Sequence, residues 1–423
     1  MRFKTLSEWL HWQESLHPAE IELGLARVGE VFSRLCPEPL PFTVVTVAGT
    51  NGKGSSIAAL EAMLRAGGYR VGAYTSPHLL RYNERIRLDG EPVSDTALVE
   101  AFERVDQARD DISLTYFEFG TLAALRIFAD VTPEIVLLEV GLGGRLDAVN
   151  IVDPDVALIT AIGIDHTAWL GEDRETIAGE KAGIMRPGGP VVCSDPRPPA
   201  AIADRADKLG APLYQLGREF DYRLHGDSWD WQRTTLPRQS LADLPRPVLG
   251  GEHQYRNLAG ALMVVSLLRE RFSLDRSQIE AGLAQMVLSG RLQTIPGDPP
   301  LLLDVAHNPD GVEQLARALV TEPVAGRNWA IVGMMGDKDL HGALQPILAQ
   351  IAGWFPVALP EVPRAASAAR LEAILRELGA VSVTPCSDMS QALKQARSVA
   401  ASGDRIVVFG SFYTVAEGLS QTL

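Results

Sequence analysis

The chain alternates between short apolar runs, which predict buried strands, and longer amphipathic stretches, which predict helices. In the N-terminal part, consecutive β-branched and apolar residues predict strands at 42–48, 135–140 and 156–160. Helices are predicted before and between these strands, at 6–16, 18–35, 55–66, 94–110 and 116–129. Strands that alternate with helices indicate a mostly parallel sheet covered on both faces.

The pattern changes twice further along the chain. Residues 219–250 contain two tryptophans, scattered charges and prolines, and they predict a hairpin or loop excursion. Residues 289–299 are rich in Pro and Gly and predict a linker. After the linker, a second alternation has strand candidates at 301–305, 329–333 and 405–409, with weaker ones at 356–359 and 381–384. We therefore predict an α/β protein with an N-terminal domain at 1–288 and a smaller doubly wound, Rossmann-like domain at 300–423.

Composition and charge narrow the class of protein. The 423 residues include 39 Lys and Arg against 53 Asp and Glu, a formal net charge of −14. This acidic excess argues against nucleic-acid binding and against docking on an anionic membrane. The cysteines at 36, 193 and 386 are too far apart in sequence for a CxxC pair, and no run of 18 apolar residues occurs. We expect a cytoplasmic protein without a membrane span and without a secretory signal.

The sharpest motif is a glycine-rich loop, Val47-Ala-Gly-Thr-Asn-Gly-Lys-Gly-Ser-Ser56, between a predicted strand and a predicted helix. Such a loop turns backbone N–H groups toward an anion at a helix N-terminus. The spacing differs from the common P-loop, because position 47 is Val and Gly54 follows Lys53. The alternative is a tight turn with a chance lysine. We predict an ATP-binding loop formed by Thr50, Asn51, Gly52, Lys53, Gly54 and Ser55.

Other candidate residues are ambiguous on the sequence alone. Glu139 ends a buried strand, where a carboxylate needs either a metal or an ion pair. His166 by itself is best interpreted as an ordinary loop histidine, and Lys181 as an exposed helix lysine. Phe117 could stack on a flat ring beside an accepting Glu118, or the aromatics there could simply be core residues on a helix.

The phosphate loop resembles that of the folylpolyglutamate synthases in the Mur ligase superfamily, and further motifs in the same order extend the likeness over nearly the whole chain. They include Glu22-Leu-Gly-Leu25, Thr75-Ser-Pro-His-Leu79, Arg81-Tyr-Asn-Glu-Arg85, Thr115-Tyr-Phe-Glu118, Glu139-Val-Gly-Leu-Gly-Gly-Arg-Leu-Asp147, Asp165-His166, Glu180-Lys-Ala-Gly-Ile184, Gly290-Arg291, Asp304-Val-Ala-His-Asn-Pro309 and Gly410-Ser411. The resemblance implies an ATP-dependent ligase that adds L-glutamate to 7,8-dihydropteroate and to reduced folates through an acyl phosphate.

The resemblance also implies roles for individual residues. Ser76, Glu139 and His166 would ligate Mg²⁺, and a carbamylated Lys181 would hold or orient a second ion. Asn257, Arg291 and Asp304 would contact the nucleotide, with His307 near the nucleotide or the incoming glutamate. The expected catalytic residues are Lys53, Glu139, His166, Lys181 and Arg291. The residues expected to bind dihydropteroate are Glu22, Leu23, Gly24, Leu25, Thr115, Tyr116, Phe117, Glu118, Leu146, Asp147 and Ala148.

The sequence leaves one other function open and argues against two more. A synthase that only extends folate tails would share most of these motifs. A P-loop NTPase without ligase chemistry would not need the second α/β domain. A cell-wall ligase of the same superfamily would need an extra N-terminal domain, for which the early phosphate loop leaves no room. We expect a monomer whose partners are small molecules only.

Overall fold

The computed structural model describes residues 2–422 and divides into two compact units. The first comprises the chain up to Val248 together with Tyr255–Met286. The second comprises Leu249–Gln254 together with the chain from Val287 onward.

The helices of the first unit flank its sheet, and α9 begins in the short segment that clusters with the second unit. They are α1 (Leu6–Leu16), α2 (Ala26–Leu35), α3 (Lys53–Ala66), α4 (Asp95–Arg109), α5 (Tyr116–Val131), α6 (Thr167–Leu170), α7 (Arg174–Lys181), α8 (Ala200–Leu209), α9 (His253–Leu268) and α10 (Arg276–Ala284). Short 3₁₀ segments cover Tyr82–Arg85, Ala148–Ile151 and Ala182–Ile184. The prediction of a helix over 18–35 is wrong in its first part, since 18–25 is not helical.

An eight-stranded sheet forms the centre of the first unit. Its strands are β1 (Thr43–Ala48), β2 (Val71–Tyr74), β3 (Ile86–Leu88), β4 (Glu91–Pro92), β5 (Ile135–Glu139), β6 (Val156–Ile159), β7 (Val191–Cys193) and β8 (Leu213–Gln215). The order is β4-β3-β2-β5-β1-β6-β7-β8, parallel except where β3 pairs with β2 and β4. Because β1 lies between β5 and β6, the loops that follow these three strands meet at one edge of the sheet.

The residues after β8 form a second, antiparallel sheet rather than a simple hairpin or loop. Its strands, in the order β11-β10-β9, are β9 (Phe220–His225), β10 (Ser228–Arg233) and β11 (Gln239–Pro245). The two tryptophans lie on β10 and are buried: the Trp229 indole donates to the Pro245 carbonyl and the Trp231 indole to the Ala259 carbonyl.

The second unit is a smaller five-stranded α/β sheet. Its strands are β12 (Gln293–Ile295), β13 (Leu301–Asp304), β14 (Asn328–Val332), β15 (Gly353–Pro356) and β16 (Arg405–Phe409), in the order β12-β13-β16-β14-β15. Its helices are α11 (Pro309–Thr321), α12 (Leu340–Leu344), α13 (Ala368–Glu377), α14 (Met389–Val399) and α15 (Phe412–Ser420), with a 3₁₀ segment at Gln345–Gln350. Only β12 runs antiparallel to its neighbour.

Three local differences separate this sheet from the sequence predictions. The 289–299 stretch, predicted as a linker, contains β12, which pairs with β13. The weak strand predicted at 356–359 lies at 353–356 instead. Residues 381–384 contribute only an isolated bridge from Val383 to Trp354. Across residues 2–422, the structure contains no helix that is both long and apolar enough to span a membrane.

Candidate active site

The phosphate loop joins β1 to α3, and its conformation depends on glycine. Gly52 has φ +93° and precedes the first residue of α3, Lys53. A Cβ at Gly52 would lie 2.4 Å from Asn257 Oδ1 on α9. The loop therefore requires glycine here for its backbone conformation and for the close approach of Asn257. The structure places the predicted nucleotide residue Asn257, which is buried, directly against the predicted phosphate loop.

Hydrogen bonds fasten this loop to the residues that follow β6. Thr50 donates its backbone N–H to the Ala161 carbonyl over 2.8 Å and its hydroxyl to the Gly163 carbonyl over 3.0 Å. The Thr160 hydroxyl donates to the Asn51 carbonyl over 2.8 Å. Lys53 Nζ donates to the Gly49 and Thr50 carbonyls at 3.0 and 3.2 Å, so the ammonium folds back over its own loop. Ser55, in the first turn of α3, is buried.

Glu139, at the carboxyl end of β5, lies beside the start of α3. Its side chain is buried, with the residue only 5% exposed. Glu139 Oε2 accepts the Ser76 backbone N–H at 3.1 Å, and Oε1 lies 4.0 Å from the position of a Cβ on Gly54. The predicted metal residues Ser76 and Glu139 are thus adjacent to each other and to the phosphate loop. Carboxylate and hydroxyl oxygens are the donors that Mg²⁺ prefers, so this pair fits such an ion.

Lys181, at the end of α7, is buried rather than exposed, so the sequence interpretation of a solvated lysine is wrong. It is only 4% exposed, because α7 packs against the glycine-rich turn after β5. A Cβ on Gly144 would lie 2.9 Å from the Glu180 carbonyl oxygen, and the Arg145 N–H donates to that oxygen. Burial, with Lys53 nearby, lowers the pKa of Lys181 to about 7, although Asp165 and Asp147 oppose the shift.

His166 lies in the loop between β6 and α6, in the left-handed conformation with φ +52°. Its backbone N–H donates to Asp165 Oδ1 at 2.7 Å, and its side chain is about two-fifths exposed. Asp195 secures the start of this loop by accepting the Ile162 N–H at 2.7 Å. Within residues 2–422, no three His, Cys, Asp or Glu side chains gather as a metal site. The predicted metal ligands differ from such a group, because they include the serine Ser76 and a carbamylated Lys181.

Asp147, predicted to contact substrate, organises the glycine-rich turn. Its two carboxylate oxygens accept the N–H groups of Leu142 at 2.8 Å and Val149 at 3.1 Å. Burial raises the pKa of Asp147 to about 6 against these hydrogen bonds and the charge of Lys53. The predicted substrate-binding residues Leu146 and Ala148 lie on either side of Asp147 in the sequence, and Ala148 is buried.

The predicted pterin residues 115–118 form the N-terminus of α5. Thr115 and Glu118 make a capping box, in which Thr115 N–H donates to Glu118 Oε2 at 2.8 Å and Glu118 N–H donates to Thr115 Oγ1 at 3.2 Å. The Phe117 ring lies over Gly141, where an added Cβ would be 2.7 Å from the ring. Tyr116 packs edge-on against Tyr82 and beneath the Arg85 guanidinium.

The second predicted pterin segment, 22–25, is tied to this N-terminus by residues that the sequence reasoning did not identify. Arg27 contacts both Glu22 and Glu118, and His17 Nε2 lies 2.8 Å from Glu22 Oε2. Leu25 packs against the core and is the N-cap residue of α2, and Leu23 and Gly24 lie between Glu22 and Leu25. The structure therefore brings 22–25 and 115–118 together, although they are about ninety residues apart in sequence.

The second unit carries Arg291, Asp304 and His307 close to one another at the carboxyl end of β13. Asp304 accepts the N–H groups of Leu292 and Ala306, each at 2.8 Å. Burial raises the pKa of Asp304, opposed chiefly by the charge of Arg291. The Arg291 guanidinium lies over the Phe412 ring, and His307 Nδ1 lies 2.9 Å from the Val305 carbonyl.

Comparison with known proteins assigns these features to one family. The glutamate ligase domain of Mur ligases matches residues 290–412. Over its full length, the chain is similar to the dihydrofolate synthase/folylpolyglutamate synthase of Escherichia coli strain K12. The two are 42% identical over 414 residues, which cover 97% of this chain and 94% of the relative. The chain belongs to the dihydrofolate synthase/folylpolyglutamate synthase family.

Solved structures from this family have the same fold. The E. coli FolC protein in complex with DHPP and ADP superposes with a TM-score of 0.92 at 41% identity, covering 99% of this chain and 98% of that one. A bifunctional folylpolyglutamate synthase/dihydrofolate synthase with Mn, AMPPNP and L-glutamate bound gives a TM-score of 0.90 at 43% identity, with the same coverage. The predicted fold class and the resemblance to this family are confirmed.

Proposed function

We propose that this chain is an ATP-dependent ligase that joins L-glutamate to 7,8-dihydropteroate, giving dihydrofolate, and then adds glutamates to reduced folates. The observation that carries the proposal is the phosphate loop after β1, with Asn257 packed against Gly52 and the buried Glu139 beside Gly54. Membership of the dihydrofolate synthase/folylpolyglutamate synthase family supports both activities rather than tail extension alone.

The nucleotide end of the site is formed by Thr50 to Ser55. Backbone N–H groups of this loop and the positive end of α3 hold the phosphates, and Lys53 leaves its own carbonyls to reach the β- and γ-phosphates. Asn257 contacts the nucleotide from α9. Arg291, Asp304 and His307 keep the nucleotide and glutamate roles that the family resemblance implies.

Ser76, Glu139 and His166 would hold a divalent cation, and the oxygen donors of Ser76 and Glu139 suit Mg²⁺. When bound, the cation neutralises charge on the phosphates of ATP. Lys181 is carbamylated: its buried ammonium group loses a proton, and the resulting amine adds CO₂ and loses a second proton, which replaces a cation by an anion with two oxygen donors. This carbamate would hold or orient a second Mg²⁺.

The reaction proceeds in two steps. A carboxylate oxygen of the pterin substrate attacks the γ-phosphorus of ATP, the bond to the β-phosphate oxygen breaks, and ADP leaves. The amine of glutamate then attacks the acyl phosphate carbon, inorganic phosphate leaves with the bonding electrons, and the amine proton is released as the amide forms. Lys53 stabilises charge on the transferred group, and excluding water protects the acyl phosphate.

The pterin ring lies against Phe117, between the segments 22–25 and 115–118, with Leu146 to Ala148 alongside. Phe117 supplies an aromatic face, and the carboxylates of Glu22 and Glu118 offer acceptors for ring N–H groups. The substrates are small anions, and an acidic protein binds them through local cations such as Lys53. We expect a cytoplasmic monomer without a nucleic-acid or membrane partner.

The experiment is an ADP-release assay on the purified protein with ATP, Mg²⁺ and L-glutamate. The proposal predicts glutamate-dependent release with dihydropteroate and also with a reduced folate. Release only with the reduced folate would identify a folylpolyglutamate synthase without dihydrofolate synthase activity. Release that does not depend on glutamate would instead indicate a nucleotide hydrolase.

A further inference from the structure

A polar network outside the phosphate loop connects the two proposed pterin segments. Arg27, on the first turn of α2, contacts Glu22 Oε1 and donates through NH2 to Glu118 Oε1 at 3.0 Å. His17 extends the network, with Nε2 2.8 Å from Glu22 Oε2 and Nδ1 2.9 Å from Ser113 Oγ. One guanidinium thus joins residues from the 17–27 segment to the start of α5.

The network runs from the surface to the interior. The Glu22 side chain is 48% exposed, that of Arg27 25%, and that of Glu118 only 4%. The hydrogen bonds from His17 and Arg27 lower the pKa of Glu22, so this carboxylate is ionised at neutral pH. A buried Glu118 carboxylate also needs a cation or donors, which Arg27 and the Thr115 N–H supply.

Stability alone does not explain this arrangement. Arg27 brings two carboxylates toward each other, and its Nε–H is buried without a hydrogen-bond acceptor in the part of the chain that the structure describes. An unsatisfied buried donor lowers stability. Residues 18–25 are not helical, so their position relative to α5 depends on such side-chain contacts. Networks that lower stability in this way are expected at functional sites.

We propose that Arg27 is a positioning residue that holds Glu22 and Glu118 as a paired-carboxylate acceptor for the N–H groups of the pterin ring. This inference rests on the proposed function, which places the pterin between the same two segments. A pterin ring presents several N–H donors along one edge, and two carboxylates at fixed separation complement such an edge. A planar guanidinium sets that separation because its N–H groups diverge in a rigid fork.

The test compares Arg27→Met with Arg34→Met. Arg34 lies on the same helix, two turns further along, and pairs with Glu30 at the surface. Both substitutions remove one positive charge from α2, but only Arg27 contacts the pterin segments. We expect Arg27→Met to raise the KM for dihydropteroate about tenfold or more, because truncating one member of a partly buried charge network weakens the acceptors it holds. The KM values for ATP and glutamate should stay within about twofold, as should all three values for Arg34→Met.

Arg27→Lys provides the second variant, since it keeps the charge and the long apolar stem. A lysine can reach one carboxylate but does not reproduce the fork, so its KM for dihydropteroate should fall between wild type and Arg27→Met. An unchanged KM for dihydropteroate in both Arg27 variants would overturn the inference, as would equal increases for all three substrates. The proposed function is judged separately, by glutamate-dependent ADP release from the wild-type protein with dihydropteroate.

Discussion

Replacing Gly52 by alanine tests whether the phosphate loop is shaped as described. Two costs follow from the structure. At φ +93°, an alanine loses about 1–2 kcal/mol relative to glycine. Its Cβ would also lie 2.4 Å from Asn257 Oδ1, about 1 Å inside normal contact, and overpacking of this kind costs about 1–3 kcal/mol more. We expect a combined loss of about 2–5 kcal/mol in the stability of the loop and the start of α3.

Gly68→Ala is a matched control for this substitution. Gly68 has a similar backbone angle, φ +84°, but no atom lies within 4 Å of an added Cβ. Gly68→Ala should therefore show only the backbone cost of about 1–2 kcal/mol. When the Asn257 side chain is removed in the Gly52→Ala background, the loss of stability should return to the level expected for Gly68→Ala.

Hydrogen exchange of peptides covering β1 and α3 measures the local opening free energy, and an ATP titration measures the consequence for binding. The additional 1–3 kcal/mol in Gly52→Ala corresponds to an ATP affinity lower by about 5- to 150-fold than that of Gly68→Ala. Equal losses of opening free energy in Gly52→Ala and Gly68→Ala, or no recovery of that free energy when Asn257 is truncated, would refute the contact between Asn257 and the phosphate loop as the determining feature. The truncation is judged by hydrogen exchange alone, because Asn257 is itself proposed to contact the nucleotide.

Three further predictions use the remaining site residues. Lys53→Ala should abolish ADP release with dihydropteroate and with reduced folates alike, because both need the same phosphoryl transfer, whereas the exposed Lys208→Ala should keep both activities. Lys181→Met should abolish ligation, and compared with wild type in which Lys181 is not carbamylated it should increase the free energy of unfolding in urea below pH 7, because it removes a buried charge. The pKa of Lys181 is about 7 in the folded protein and 10.5 in the unfolded chain, so between these pH values the folded wild-type protein binds fewer protons than the unfolded one. The free energy of unfolding of wild type therefore rises from pH 7 toward pH 10.5. Over the same range, its difference from the free energy of unfolding of Lys181→Met shrinks. Asp304→Asn should lower kcat, because an amide keeps only one acceptor oxygen for the Leu292 and Ala306 N–H groups beside Arg291. Asp404→Asn likewise keeps an acceptor for only one of the Arg327 and Trp329 N–H groups, and it should lower thermal stability with little change in kcat.

Features determined by local sequence were predictable. The phosphate loop was found because three glycines, a lysine and a preceding apolar strand are contiguous, and local patterns also placed β1, β5 and β16 within one or two residues. The fold class followed from the alternation of strands and helices.

Features determined by distant contacts were not predictable from residue patterns. The burial of Lys181 depends on α7 packing against Gly144, so a lysine on a short polar helix gave no local sign of it. The role of Arg27 depends on Glu118, 91 residues away. The sequence pattern predicts a helix that includes residues 18–25, but this segment is not helical, and its Glu22 contacts His17 and Arg27.

Ligation of glutamate to dihydropteroate is tested most directly by measuring ADP release from the purified protein. The assay contains dihydropteroate, ATP and Mg²⁺ and is run with and without L-glutamate. We predict that ADP release requires glutamate and that one dihydrofolate forms for each ADP released. ADP release without glutamate, or no release while a reduced folate supports it, would contradict the bifunctional ligase described here.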